Sequence, residues 1–157
     1  MLITRETDYG IRMIMHLSIM GAEPGGEYVS TADSAGAMGI PYRFLRALSR
    51  KLVSAGLVES RRGASGGLRL SRSAAGISLM DVLRAIDPRG ATLNRCLKAE
   101  GLCPRDSHCP VHKALRHLQT QIESSLDAIC FAKLVKSPRR AARKTPAALA
   151  IAGLDIV

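Results

Sequence analysis

Residues 30–70 read STADSAGAMGIPYRFLRALSRKLVSAGLVESRRGASGGLRL, and this stretch decides the fold. Ser30 with Asp33 three residues on resembles a capping box with Asp in place of the usual Glu. It predicts a short helix that runs to about Met38 and stops at Gly39. Pro41 fits the first position of a second helix, and Phe44, Leu45, Leu48, Leu52 and Val53 form its apolar stripe up to Gly56. Two helices separated by so short a turn make a helix-turn-helix. Leu57–Ser60 and Leu68–Leu70 then flank Arg61, Arg62, Gly63, Ala64, Ser65, Gly66 and Gly67, which reads as a hairpin with a flexible basic tip. A helix-turn-helix followed by a hairpin is a winged helix, in which the second helix enters the major groove and the wing reaches backbone or minor groove.

The flanking sequence extends this plan. From about Thr7 to Met20, Ile11, Ile14, Met15 and Leu17 recur at helical spacing, and the run ends in Gly21 to Gly26 with Pro24. Ser78 and Asp81 cap a further helix that carries Leu79, Val82, Leu83 and Ile86 and stops at Pro88. Pro110 opens a long pattern in which Val111, Leu115, Leu118, Ile122, Leu126 and Ile129 form one narrow apolar seam. A seam that narrow suits packing against a second copy of itself, so a homodimer is expected; the alternative is packing on the protein's own first helix. From Lys136 the text turns basic, then Ala-rich, and reads as a mobile tail. The fold class expected is mainly α with a small β-hairpin. Its parts are a winged helix-turn-helix over 1–88, a cysteine-containing loop over 89–110, a dimerisation helix over 111–135 and a basic tail over 136–157.

Composition limits the partners. In 157 residues, Lys and Arg outnumber Asp and Glu by 23 to 13, an excess that favours polyanions, nucleic acid or an anionic membrane. No run approaches a membrane span of roughly 18 apolar residues, and Arg5, Glu6 and Asp8 near the start lack a signal peptide's layout. A cytoplasmic protein without a membrane partner is expected. No nucleophile–base constellation stands out, and Gly63 to Gly67 lacks the Lys-Ser/Thr ending of a phosphate loop, so neither an enzyme nor a small-molecule substrate is expected.

For double-stranded DNA, Pro41, Tyr42, Arg43 and Arg46 stand at the start of the recognition helix. Arg43 and Arg46 lie three apart on one face, where an arginine can pair bidentately with guanine. Arg50 and Lys51, further along, are expected at phosphates. In the wing, Arg62 is the expected groove or backbone contact, Gly66 and Gly67 let the tip approach closely, Ser65 shapes the tip, and Arg61 and Arg69 neutralise phosphate.

Between these elements stand Cys96, Cys103 and Cys109, with His112 three residues past the last. In a reducing compartment such thiols are ligands or sensors rather than a disulfide framework. Three thiolates and one nitrogen or oxygen ligand satisfy either zinc or an iron-sulfur cluster, and spacing alone does not choose. His112 lies one helical turn from Cys109, within reach of a metal held there; otherwise it reads as a solvated residue of a first helical turn. Cys130, beside Ile129 in the long helical pattern, reads as a small buried hydrophobe.

The chain resembles the Rrf-two family of bacterial winged-helix regulators over residues 2 to about 135. The matching text is Leu2-Ile3-Thr4 leading to Thr7-Asp8-Tyr9-Gly10-Ile11-Arg12, then Gly39-Ile40-Pro41 leading to Leu45, Gly56-Leu57-Val58, Arg62-Gly63 with Gly66-Gly67, and the cysteine triplet before a long helix. The resemblance implies a homodimer that binds an inverted repeat near promoters; a repressor is the expectation here, though the resemblance does not choose between repression and activation. It also implies an iron-sulfur cluster on the three cysteines and a variable fourth ligand, and a response to nitric oxide, redox state or iron supply. In some members a histidine at the position of His112 serves a two-iron, two-sulfur cluster. In others an aspartate at the position of Asp8 crosses from the partner subunit to a four-iron, four-sulfur cluster. The aspartate and the four-iron cluster are the expectation here, with a zinc-stabilised DNA-binding protein as the alternative. Asp8 also has a local reading, as a complement to the positive end of the first helix.

Overall fold

The computed structural model describes residues 3–135 except 64, 89–91, 100–102 and 106, so the basic tail expected over 136–157 lies outside the described residues. Thr4 decides where the first helix starts: its hydroxyl accepts from the Thr7 amide at 3.2 Å, and α1 runs Arg5–Ile19, slightly ahead of the apolar periodicity. Ser30 caps α2 (Thr31–Met38) by accepting from the Asp33 amide, and Gly39, at φ 60°, closes it in the left-handed conformation that glycine adopts freely. Pro41 is the cap of α3 (Tyr42–Ser54) rather than its first helical residue, because its carbonyl already accepts from the Phe44 and Leu45 amides at 2.8 and 3.2 Å. Strands β1 (Val58–Arg61) and β2 (Gly67–Leu70) pair antiparallel with Glu59 opposite Arg69. The capping box of α4 (Leu79–Ile86) is complete: the Ser78 hydroxyl accepts from the Asp81 amide at 3.0 Å and the Asp81 carboxylate from the Ser78 amide at 2.9 Å.

These elements share one core. Met13, Ile14 and Leu17 of α1 meet Leu45, Leu48 and Leu52 of α3, Leu70 of β2, Ile77 and Val82, all fully buried or nearly so. Each such side chain contributes about 1.5–3 kcal/mol of burial. Phe44 and Val53, expected on the same stripe, are 45 % and 37 % exposed and flank it. The close approach of α1 to α4 depends on Gly10, where a Cβ would collide with Ile86 Cδ1 and press on Val82 Cγ1 at 3.3 Å.

The C-terminal helix is shorter than the periodicity suggests. Helix α5 spans Pro110–Asp127 and a separate turn, α6, spans Phe131–Leu134. Between them the chain runs beside Ser78: the Ile129 carbonyl accepts from the Leu79 amide at 2.9 Å, and the Phe131 amide donates to the Ile77 carbonyl at 3.0 Å. The turn carries Phe131, 0 % exposed, into the winged-helix core. Ile129 therefore lies outside the helical seam, and Cys130 is the half-buried cap of α6 rather than a hydrophobe inside a long helix. Within α5, Leu126 packs near Ile11, Met80 and Leu83, whereas Val111 and Leu118 are 61 % and 47 % exposed. One end of the seam thus rests on the protein's own helices, and the other is uncovered.

Candidate nucleic-acid interface and cysteine loop

Helix α3 presents its first turn outward. Pro41, Tyr42, Arg43, Arg46 and Arg50 are all exposed, with Arg43 over the Phe44 ring at 5.0 Å and Arg46 over Tyr42 at 6.0 Å. Tyr9 of α1 supports Phe44 edge-on, ring centroids 6.5 Å apart. The first turns of α1, α2 and α4 carry carboxylates, whereas that of α3 carries none and has no side-chain cap. Its amide groups and dipole therefore favour an anion. Lys51, expected at a phosphate, is partly exposed and already paired within the fold: its ammonium donates to Glu6 at 2.7 Å and to the Ile86 carbonyl at 3.2 Å, tying α3 to α1 and α4.

The wing is built against the segment before α2. Val29 and Leu68 exchange backbone hydrogen bonds of 2.9 and 2.8 Å, so residue 29 acts as a third edge for the hairpin. A Cβ on Gly67, at φ 151°, would collide with the Val29 carbonyl, and one on Gly66 with the Arg61 carbonyl. The glycine pair thus serves the wing's own backbone before any DNA approaches. Arg61 folds back to donate to the Ser65 carbonyl at 2.6 Å, and Arg69 donates to Glu59 at 2.7 Å and to the Gly26 carbonyl at 3.2 Å. The Arg69 hydrogen bond, aided by that of Tyr28, holds the Glu59 carboxyl below its usual range. Arg62 remains exposed at the tip.

The cysteine loop contrasts with this. Cys96, Cys103 and Cys109 are free, half-buried thiols; Cys109 caps α5, and Cys96 lines a cavity of about 270 Å³ with Leu97, Ala99, Arg116, Gln119 and Thr120. Among the described residues no three Cys, His, Asp or Glu side chains converge on a metal position. Asp8 pairs with Arg12 at 2.9 Å on the surface of α1. His112 is 5 % exposed rather than solvated; its Nε2 stands 2.7 Å from Arg116 Nη2, and its Nδ1 is buried without a partner. Because a guanidinium only donates, Nε2 is the acceptor and the proton sits on the orphaned Nδ1. A metal at either ring nitrogen therefore requires Arg116 to let go. Three thiols and a buried, under-satisfied imidazole suit a thiophilic metal chemically, but among the described residues they do not converge.

Two residues without a motif tie separate parts of the fold together, the first joining the cysteine loop to α4. Gln119, 7 % exposed, accepts from the Leu93 amide at 2.8 Å and donates to Glu123 at 2.7 Å. Arg84 of α4 lies 4.0 Å from Glu123 and 3.5 Å from Asp127, and the Ser78 hydroxyl, 3.3 Å from Asp127, closes the chain at the cap of α4. The second residue is Tyr28, at the wing's root. Neither breaks a periodicity or completes a spacing, so no sequence signal marks them.

Residues 3–137 match the family described as "Rrf2: Iron-dependent Transcriptional regulator". The HTH-type transcriptional repressor NsrR of Streptomyces coelicolor is 28 % identical over 138 residues, 88 % of this chain and 90 % of that one. The HTH-type transcriptional regulator IscR of Xenorhabdus nematophila is 31 % identical over 137 residues, 87 % of this chain and 80 % of that one. The solved structure of T. potens IscR superposes with a TM-score of 0.65 at 26 % identity, covering 87 % of both chains. The winged helix, its wing and the cysteine-bearing loop thus belong together, and the chain is a member of the Rrf2 family of transcriptional regulators.

Proposed function

We propose that this regulator, a cytoplasmic homodimer, binds an inverted-repeat operator and adjusts its affinity, as a repressor, to the state of an iron-sulfur cluster. The division into DNA-binding part, cluster loop and dimer helix follows the sequence reading, with the last shortened to α5. The observation that carries the reading is the placement of the three cysteines on the loop that the buried Gln119 bonds to α5. Cys96, Cys103 and Cys109 would hold the cluster, most readily a four-iron, four-sulfur one, with Asp8 of the second subunit or His112 as fourth ligand. Such a cluster supplies iron that reacts with nitric oxide or oxygen and is lost when iron is scarce.

The chain's own residues would do the coupling. A ligand shifts a two-state equilibrium only through different affinities for the two states, and thiols that do not converge among the described residues would give a cluster that difference. A change in the loop would reach Gln119, Glu123 and Arg84, and from α4 the recognition helix, which Lys51 ties to the Ile86 carbonyl. Arg43 and Arg46 would read base edges, and Arg50 and Arg62 phosphates. The exposed Val111 and Leu118 would meet a second copy. Anaerobic purification with visible spectroscopy, iron and sulfide analysis, and operator titration of holo and apo protein tests the whole reading. Colourless protein carrying one zinc per chain, or equal operator affinity of the two forms, would overturn it.

A further inference from the structure

The wing is a two-stranded hairpin with four paired positions, which alone is at best marginally stable. Backbone bonds from Val29 steady it only at Leu68, leaving its distal part to side chains. The half-buried Tyr28 ring lies 4.4 Å from the Arg61 guanidinium carbon, on the tip side of Leu68, and 4.5 Å from that of Arg69, on its base side, one from each strand. The Tyr28 hydroxyl donates to Glu59 at 3.1 Å, and Glu59 is the cross-strand partner of Arg69. Around this group opens a cavity of about 510 Å³ that reaches from Gly26 and Glu27 to Ser65 and Gly66. The ring of one residue thus bridges the two strands diagonally, Arg61 lying opposite Gly67 and Arg69 opposite Glu59, and it does so from the segment that leads directly into the cap of α2.

We propose that Tyr28 is a wing-positioning residue: by keeping the guanidinium groups of Arg61 and Arg69 over its ring, it fixes the hairpin relative to the helix-turn-helix. Arg61, though exposed, is thereby engaged by the ring and the Ser65 carbonyl, and Arg62 is left as the wing's contact. This rests on the reading of the chain as an operator-binding protein. A guanidinium is attracted to the face of an aromatic ring through the ring's quadrupole, which an aliphatic side chain of similar bulk lacks. The consequence is a wing whose register against the groove is set before DNA arrives, so that recognition by α3 and contact by the wing occur together.

The test uses the full-length protein with Tyr28→Leu and Tyr28→Phe. Two readouts are followed: amide hydrogen exchange at Arg62, Ser65 and Gly66, and affinity for a duplex enriched by the wild-type protein from a random pool, against a scrambled duplex. Tyr28→Leu is expected to speed exchange at those amides about tenfold with α5 unchanged, and to weaken the enriched duplex about tenfold while the scrambled one changes little. Tyr28→Phe, which keeps the ring, is expected to stay within about twofold in both readouts. The proposal is overturned if Tyr28→Leu leaves wing exchange as it was, if exchange rises equally in α5, or if Tyr28→Phe is as damaging as Tyr28→Leu. If the wild type enriches no duplex, the operator-binding reading fails, and wing exchange alone decides whether Tyr28 holds the hairpin.

Discussion

From α1 to α4 the buried side chains are mostly apolar, among them Met13, Leu17, Leu45, Leu52, Leu70 and Val82; among the described residues from 92 to 127, the buried ones are His112 and Gln119. The first region holds its shape through non-directional packing that needs no partner. The second holds its shape through hydrogen bonds, and one of them, Arg116 on His112, occupies a group a metal would want. A segment built this way changes when its partners change, which suits a sensor. A segment built like the winged helix transmits that change without deforming.

The largest effect expected concerns the boundary between the two regions. Phe131→Ala should lower stability by about 3–5 kcal/mol in urea unfolding, because α6 completes the winged-helix core; a loss under 1 kcal/mol would return residues 131–135 to the dimer element. Next comes recognition. Arg43→Ala should weaken operator binding by about 1–3 kcal/mol and relax preference at one base position. Arg62→Ala should weaken all duplexes alike and flatten the salt slope by about one. The same slope change from Arg61→Ala or Lys51→Ala would show that their internal contacts give way to DNA.

For the proposed cluster, Asp8→Ala is expected to alter the visible spectrum or the lability, while His112→Ala changes little. The reverse outcome would identify His112 as the ligand and Arg116 as the group that must move. The smallest effect is a pH dependence. Burial holds His16 below its usual range, with Asp33 opposing, so the unfolded chain takes up this proton more readily than the folded one. The contribution of neutral His16 is present above about pH 6.5 and is lost as pH falls through the lowered folded value. Thermal melts of His16→Gln should show a shallower loss of stability between neutral and mildly acid pH, and an unchanged profile would assign the loss to other groups.

The winged helix was legible because local rules and the fold agree there. Ser30, Gly39, Ser78 and Asp81 mark helix ends with chemistry that acts within a few residues, and Leu45, Leu48 and Leu52 repeat at the period of the helix they form. The candidate site was legible only as residue types. Cysteine spacing identifies donors, but it carries no information on where Arg116 points or on how His112 is buried. Lys51 shows the same limit: as sequence it is one more charge on a basic helix, and in the fold it is a tie between three helices.

The sequence by itself determined the order of elements, the basic recognition helix, the glycines of the wing and the presence of three thiols, since each depends on backbone preference, periodicity or residue chemistry. Tertiary structure alone decided that α5 ends at Asp127, that Phe131 belongs to the core, that Gln119 joins the loop to α4, and that Tyr28 clamps the wing. Those outcomes rest on contacts between residues far apart in the chain, where burial and hydrogen-bond geometry, rather than local propensity, choose the conformation.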